Sequence, residues 1–197
     1  MEPQVVAAPE LFPHIRIVMG MVIGLGVARL LSGVARIVQY PKRSSLYFVH
    51  LAWVASVLLM LVSFWWWEFG LYQVEAWTLG KYLFVISYAV VLFLLCALLF
   101  PDGMEDYRNY AEFFHDRRGW FFGALAVTYV MDIADTAIKG NEHLVSFGPE
   151  YIIRTPLIIL LCIIAAIVRN KPFHVAFVIF KLGYQIYWIS RHFNVIA

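Results

Sequence analysis

Charged residues are scarce in this chain. They make up 14% of its 197 residues, while 62% are hydrophobic and 17% are aromatic. A soluble domain carries roughly 25% charged and about 45–50% apolar residues. The shortage of charge therefore argues against a soluble domain and places the chain in the membrane class. The formal net charge is only +2, which gives no support for a nucleic-acid partner.

Cysteine is also rare. Cys96 and Cys162 both lie inside apolar runs, so no disulfide framework is indicated and we expect two buried thiols. Residues 1–10 contain two acidic and no basic residues. Such a start argues against a cleavable signal peptide, and we expect the first helix to insert with this short tail translocated.

Motifs for common chemistries are missing as well. The chain has no phosphate-binding glycine loop, no nucleophile elbow and no zinc-protease helix motif. Asp132-x-x-Asp135 could begin a metal site together with Glu142 and His143. However, a loop would separate the two halves, and no His or Cys pair has ligand spacing. We therefore assign no catalytic residue, no metal ligand and no cofactor.

Long apolar segments, in contrast, are abundant. Each is near the ~20 residues that a helix needs to cross a bilayer. Six can be delimited, at about 15–38, 47–69, 78–100, 120–138, 151–168 and 173–193. They predict an all-α, polytopic membrane protein. We expect a single domain over residues 1–197, built as a six-transmembrane-helix bundle in contact with the lipid bilayer.

The basic residues between these segments predict the orientation. Seven follow the first, third and fifth segments, namely Lys42, Arg43, Arg108, Arg117, Arg118, Arg169 and Lys171. The opposite loops hold only Lys81 and Lys139. The positive-inside rule places the first set in the cytoplasm and both termini on the non-cytoplasmic side. We expect a multi-pass protein of a bacterial-type inner (plasma) membrane.

The longest cytoplasmic loop follows Phe100. Asp102, with Glu105 three residues later, fits a helix-capping box. Apolar residues then recur at helical spacing, at Met104, Tyr107, Ala111 and Phe114. We predict a short helix over about 102–114 that lies along the cytoplasmic membrane surface. A solvated connector is the alternative.

Glycines give the first segment a pattern of its own. Gly20-x-x-x-Gly24 is followed by Gly26-Val-Ala-Arg29, which recurs seven residues later from Gly33. Small residues at this spacing allow helices to approach closely, so a homo-oligomer through Gly20, Gly24, Gly26 and Gly33 is one possible partnership. Arg29 lies about two turns from the cytoplasmic end, too deep to reach the headgroups easily. We predict that it points into the bundle.

The fourth segment carries the most informative stripe. Thr128, Asp132, Asp135 and Lys139 are spaced by four, three and four residues, so they share one face of a helix. Two unpaired carboxylates at mid-helix would cost about 5–7 kcal/mol together on the translocon scale. That cost predicts that basic groups from other helices neutralise them.

Depth along each helix, taken from the ~1.5 Å rise per residue, predicts which basic groups lie level with the acidic ones. Arg154 of the fifth segment matches Asp135. Lys181 of the sixth matches Asp132, with Gln185 one turn further along. Glu68 lies at the outer interface within reach of Lys81. These pairs predict a charged cavity lined by Glu68, Thr128, Asp132, Asp135, Arg154, Lys181, Gln185 and Arg29.

Three functions fit such an interior. A small transporter- or channel-like protein would use the cavity to move protons, small ions or small solutes, with the aspartates as titrating or cation-attracting groups. An intramembrane enzyme would act on a lipid or quinone-like substrate, with an aspartate as acid–base catalyst. A membrane scaffold or sensor subunit would use the charges only to hold its helices together. We found no inverted repeat that would favour a standard secondary carrier.

Overall fold

The computed structural model describes residues 6–40, 46–74, 76–140, 145 and 147–192. Several residues used in the sequence predictions therefore lie outside the described part: Lys42, Arg43, Glu142 and His143.

The described residues form six α-helices. Their bounds are α1 Ala8–Gln39, α2 Phe48–Trp67, α3 Leu79–Ala97, α4 Tyr110–Lys139, α5 Gly148–Ile167 and α6 Lys171–His192. A 3₁₀ helix, Glu68–Gln73, extends α2. Two short strands, β1 Val6–Ala7 and β2 Ala76–Trp77, pair antiparallel with Val6 opposite Trp77. The predicted all-α class and six-helix count are confirmed.

Helices α1 to α5 are long and apolar enough to cross a membrane, by length and composition. Helix α6 has 22 residues but is not among these candidate spans. Large apolar side chains such as Met21, Val62 and Ile153 are exposed on the outside of the bundle, whereas Glu68 and Lys181 are buried inside. An apolar outside around a polar inside is typical of helices packed in lipid. The chain is a helical, multi-pass membrane protein.

Helix α4 begins earlier than the sequence predicted. Asn109 is its N-cap, and the side chain of Asn109 accepts a hydrogen bond from the backbone N–H of Glu112 (2.9 Å). Residues 101–109 form turns and bends, so the separate helix predicted over 102–114 does not form. Asp102 does not start a helix there, because its carboxylate faces Arg29 of α1. Asn109 provides the cap instead, and α4 runs unbroken into the membrane-spanning stretch.

Two of the four glycines in α1 are used inside the chain. A Cβ at Gly33 would lie 2.3 Å from the Phe100 ring, and one at Gly26 would lie 3.2 Å from Cys96 Sγ. These glycines let α1 pack closely along α3 and the residues after it. Gly24, in contrast, is exposed with open space around it. A second copy could therefore not use Gly26 and Gly33, and oligomerisation through α1 remains a prediction.

The other helices pack in pairs around a shared core. Helix α4 packs extensively along α5, and α2 packs along α6. Where α2, α4 and α6 meet, Trp53 contacts three phenylalanine rings edge-on at centroid distances of 5.3 Å. These rings are Phe121, Phe122 and Phe177. We call these four rings the aromatic layer. It fills the bundle on one side of the buried charges.

Candidate functional site

The charged side chains surround one cavity of about 70 Å³ between α2, α3, α4, α5 and α6. A cavity needs roughly 10–15 Å³ of such space to hold one water molecule, so this one has room for several waters or a small solute. Seven of the eight predicted site residues line it: Glu68, Thr128, Asp132, Asp135, Arg154, Lys181 and Gln185. Along α4, the lining stripe from Thr128 to Lys139 is about 16 Å long.

Lys139 joins two carboxylates at one end of the cavity. Its Nζ donates to Asp135 Oδ2 at 2.5 Å and to Glu68 Oε1 at 3.1 Å. The side chains of all three residues are at most 5% exposed. The Asp135–Lys139 pair spans one turn of α4, whereas Glu68 reaches in from the 3₁₀ helix that follows α2. We call Glu68, Asp135 and Lys139 the carboxylate–lysine cluster.

Asp132 is held by hydroxyl groups. Its Oδ2 accepts a hydrogen bond from Tyr151 Oη of α5 at 2.8 Å. The same Tyr151 oxygen lies 3.1 Å from Thr136 Oγ1, which also donates to the backbone carbonyl of Asp132. This network ties α4 to α5 and fixes the direction in which the Asp132 carboxylate points.

Aromatic rings surround Arg154 on α5. Its Cζ lies 4.3 Å from the centroid of Trp188, 5.1 Å from that of Tyr151 and 5.8 Å from that of Tyr184. At such distances the ring faces attract the guanidinium. The Arg154 Nε is buried and has no hydrogen-bond partner among the described residues. The rings therefore hold the guanidinium in place while leaving donor capacity on its edge.

Lys181, on α6, has only neutral partners. Its Nζ donates to Ser56 Oγ at 3.0 Å and to Gln185 Oε1 at 2.6 Å. Ser56 Oγ donates in turn to the same Gln185 oxygen at 2.9 Å, and Gln185 Nε2 donates to the Ser56 carbonyl. No described carboxylate lies within 4.0 Å of Lys181 Nζ. The ammonium is thus buried and hydrogen-bonded but carries no counter-charge at contact distance.

Arg29 is not part of this cavity. Its Nη2 donates to Asp102 Oδ1 at 2.5 Å and to the Phe100 carbonyl at 2.9 Å. Arg36, two turns further along α1, donates to the carbonyls of Pro101 and Asp102. The prediction that Arg29 lines the charged interior was wrong. Both arginines instead fasten α1 to the chain that follows α3.

The predicted ion pairs were also wrong in detail. Asp135 is paired with Lys139, Asp132 bonds to Tyr151, and Lys81 donates to the Ala76 carbonyl (2.8 Å) instead of Glu68. The depth estimates predicted most of the residues that lie at the level of the cavity, but depth does not say which way a side chain points around its helix. The sequence predicted Lys139 on the same helix face as Asp135 and also counted it with the following loop, but did not pair the two residues. The spacing of four residues between them was the signal that could have identified the pair.

Among the described residues, no group of three or more His, Cys, Asp or Glu side chains could hold a metal ion. Comparison with protein-family models, curated proteins and solved structures found no match for this chain. The cavity combines buried carboxylates able to exchange protons, buried cations able to bind anions, and aromatic walls.

Proposed function

We propose that this protein is a small transporter- or channel-like membrane protein that moves a proton, small ion or small solute through its charged cavity. The observation that carries the proposal is that three acidic and three basic side chains from different helices line one cavity. They are Glu68, Asp132, Asp135, Lys139, Arg154 and Lys181.

The energetics favour a functional role for these charges. Buried ion pairs are poor sources of stability, since apolar residues of similar size often do as well or better. Ionisable groups at membrane depth usually mark an ion or substrate pathway. A purely structural set would be expected to pair fully in dry contacts. Here the cavity separates the carboxylate–lysine cluster from Lys181, whose partners are neutral.

The aromatic layer suggests how the pathway is closed. Trp53 lies on α2 three residues before Ser56, which bonds to Lys181 in the wall of the cavity. The rings of this layer are at most 3% exposed. A solute in the cavity would meet them on its way to the end of the bundle that contains Asn109. Transport would require these rings to move.

Orientation and assembly belong to the same proposal. We place the end of the bundle with Arg108, Arg117, Arg118 and Arg169 in the cytoplasm of a bacterial-type cell, following the positive-inside rule. All six helices then cross the inner membrane and both termini lie outside. In this orientation Glu68 and Lys139, at the ends of α2 and α4, lie nearer the outer face. Should the protein dimerise through α1, Gly20 and Gly24 are the glycines not packed against α3.

Proton flux into liposomes tests the proposal. Purified protein is reconstituted with a pH-sensitive dye inside, and a potassium gradient with valinomycin drives the flux. We expect wild-type flux to fall at least tenfold in Asp132→Asn and Asp135→Asn. The matched control is Asp116→Asn, because Asp116 lies on the same helix but is exposed at its other end.

Three results would be informative. Flux that depends on Asp132 or Asp135, but not on Asp116, supports transport. A folded wild-type protein that moves neither protons, small cations nor a small organic anion such as propionate contradicts transport and favours the enzyme or scaffold hypothesis. Loss of folding in both cavity variants would support a structural role for the charges. Folding is followed by circular dichroism and size-exclusion chromatography.

A further inference from the structure

We propose that Lys181 and Arg154 form an anion-binding subsite that takes the carboxylate of a small monocarboxylic acid. The inference deepens the proposed function by naming a substrate class. Transport of the acid rests on the proposed function, whereas binding of the acid does not, so the subsite and the transport proposal can fail separately.

The first argument is the charge on Lys181. The residue is only 3% exposed, and its Nζ contacts the neutral oxygens of Ser56 and Gln185. An ammonium group has three donors, and these contacts use two of them. A buried charge is costly unless it is paired. A bound anion would supply both the missing counter-charge and an acceptor for the third donor.

The second argument is the state of Arg154. The rings of Trp188 and Tyr151 hold its guanidinium, whose Cζ lies 4.3 and 5.1 Å from their centroids. No described carboxylate lies within 4.0 Å of it. Asp132 lines the same cavity, but its carboxylate is bonded to Tyr151. The planar edge of an arginine suits the two oxygens of a carboxylate.

The contrast with Lys139 shows that the imbalance is local. Lys139 lines the same cavity and is also buried, yet it lies between Glu68 and Asp135. Two carboxylates thus face its single positive charge, and Lys139 needs no further anion. Lys181 and Arg154 together bring two positive charges to the other part of the cavity, where Asp132 is the acidic residue. An anion is the ligand that this part lacks.

Size and polarity narrow the class of anion. The cavity of about 70 Å³ accommodates about five water-sized positions, which suits a ligand of roughly four to six non-hydrogen atoms. Met60, Leu92 and Ile158 contribute apolar walls beside the charges. A carboxylate with a short apolar chain satisfies both surfaces, whereas an inorganic oxyanion would leave the apolar walls without a matching group. Propionate is the simplest probe.

Isothermal titration calorimetry on the full chain in nanodiscs tests binding directly. Sodium propionate is titrated against a sodium chloride blank at equal ionic strength. We expect millimolar affinity in the wild type, and a loss of at least tenfold in Lys181→Met and in Arg154→Met. Lys81→Met is the matched control. Lys81 lies at the start of α3, outside the cavity, and donates to the Ala76 carbonyl.

A second readout covers variants whose folding is altered. Propionate should raise the melting temperature of the wild type and of Lys81→Met, because ligand that binds only the folded state stabilises it. It should leave Lys181→Met unchanged. Ser56 and Gln185 still bond to each other when the lysine is gone, so this variant is expected to fold.

Several outcomes would overturn the inference. The subsite is refuted if wild-type protein shows neither heat of binding nor a rise in melting temperature at a propionate concentration 100-fold above the expected millimolar Kd. Equal binding by Lys181→Met and wild type refutes its location. Inorganic phosphate binding as tightly as propionate refutes the monocarboxylate class. Propionate binding without flux would leave the subsite standing and count against the transport proposal alone.

Discussion

Replacing Lys139 with methionine should be the most damaging single change in the cavity. The substitution keeps the length of the side chain but removes the ammonium group that binds Glu68 Oε1 and Asp135 Oδ2. Of the two carboxylates, Glu68 should lose more stabilisation than Asp135. Its side chain is 2% exposed, and its Oε2 has no hydrogen-bond partner among the described residues.

The expected magnitude follows from burial. Removing one partner of a buried ion pair costs about 3–5 kcal/mol, because the other charge is left without compensation. At about 1.4 kcal/mol per factor of ten, this lowers the folding equilibrium constant roughly 10²- to 10⁴-fold. Solvent screening offers little relief, since the Lys139 side chain is only 3% exposed.

Unfolding by SDS in mixed micelles, followed by circular dichroism, measures this cost. The control is Arg191→Met, which removes the exposed ion pair between Arg191 and Glu150. Surface pairs contribute about 0–1 kcal/mol, so the control should barely shift the transition. Adding Glu68→Gln to Lys139→Met should recover part of the loss, since only Asp135 is then left as a buried carboxylate without the lysine. The reasoning is refuted if Lys139→Met and Arg191→Met differ by less than about 1 kcal/mol.

Two further predictions use the same unfolding assay. Gly33→Ala should destabilise the protein by about 1–3 kcal/mol, because its methyl group would lie 2.3 Å from the Phe100 ring. The control is Gly24→Ala, which should be neutral or mildly stabilising because Gly24 faces open space. Equal effects of the two substitutions would contradict the close packing of α1 at Gly33. Tyr151→Phe should cost about 1–3 kcal/mol by removing the hydrogen bond to Asp132, and a cost below about 0.5 kcal/mol would show that this bond is not formed in the membrane.

The helices themselves could be predicted from the sequence because hydrophobic length is a strong signal in a membrane. The predicted spans agree with the observed helices within a few residues for α2, α3, α5 and α6. The start of α4 was missed because the apolar stretch begins only at about residue 120 and Asp102 fits a helix cap by residue type. The fold shows that Asp102 faces Arg29 and that Asn109 is the cap.

Membership of the cavity could also be predicted. A polar residue at helical spacing in an apolar segment must turn inward to avoid lipid, and this argument alone placed Asp132, Asp135 and Gln185 correctly. Partners could not be predicted in the same way. Lys139 could have been paired with Asp135 from its i,i+4 spacing alone, whereas the partners that come from other helices, such as Tyr151 for Asp132, depend on the rotation of each helix about its axis, which a single sequence does not supply.

Lys139 and Lys181 show most clearly why burial alone does not define a role. Both are lysines, both are buried and both line the same cavity. Removing the charge of Lys139 should destabilise the fold, because it leaves the buried carboxylate of Glu68 without its positive partner. Removing the charge of Lys181 should leave the fold intact or stabilise it. Its contacts are neutral, so no ion pair offsets the cost of burying the ammonium group until an anion binds. The buried charge of Lys181, which lowers stability when no ligand is bound, is best explained by an anion that binds to it.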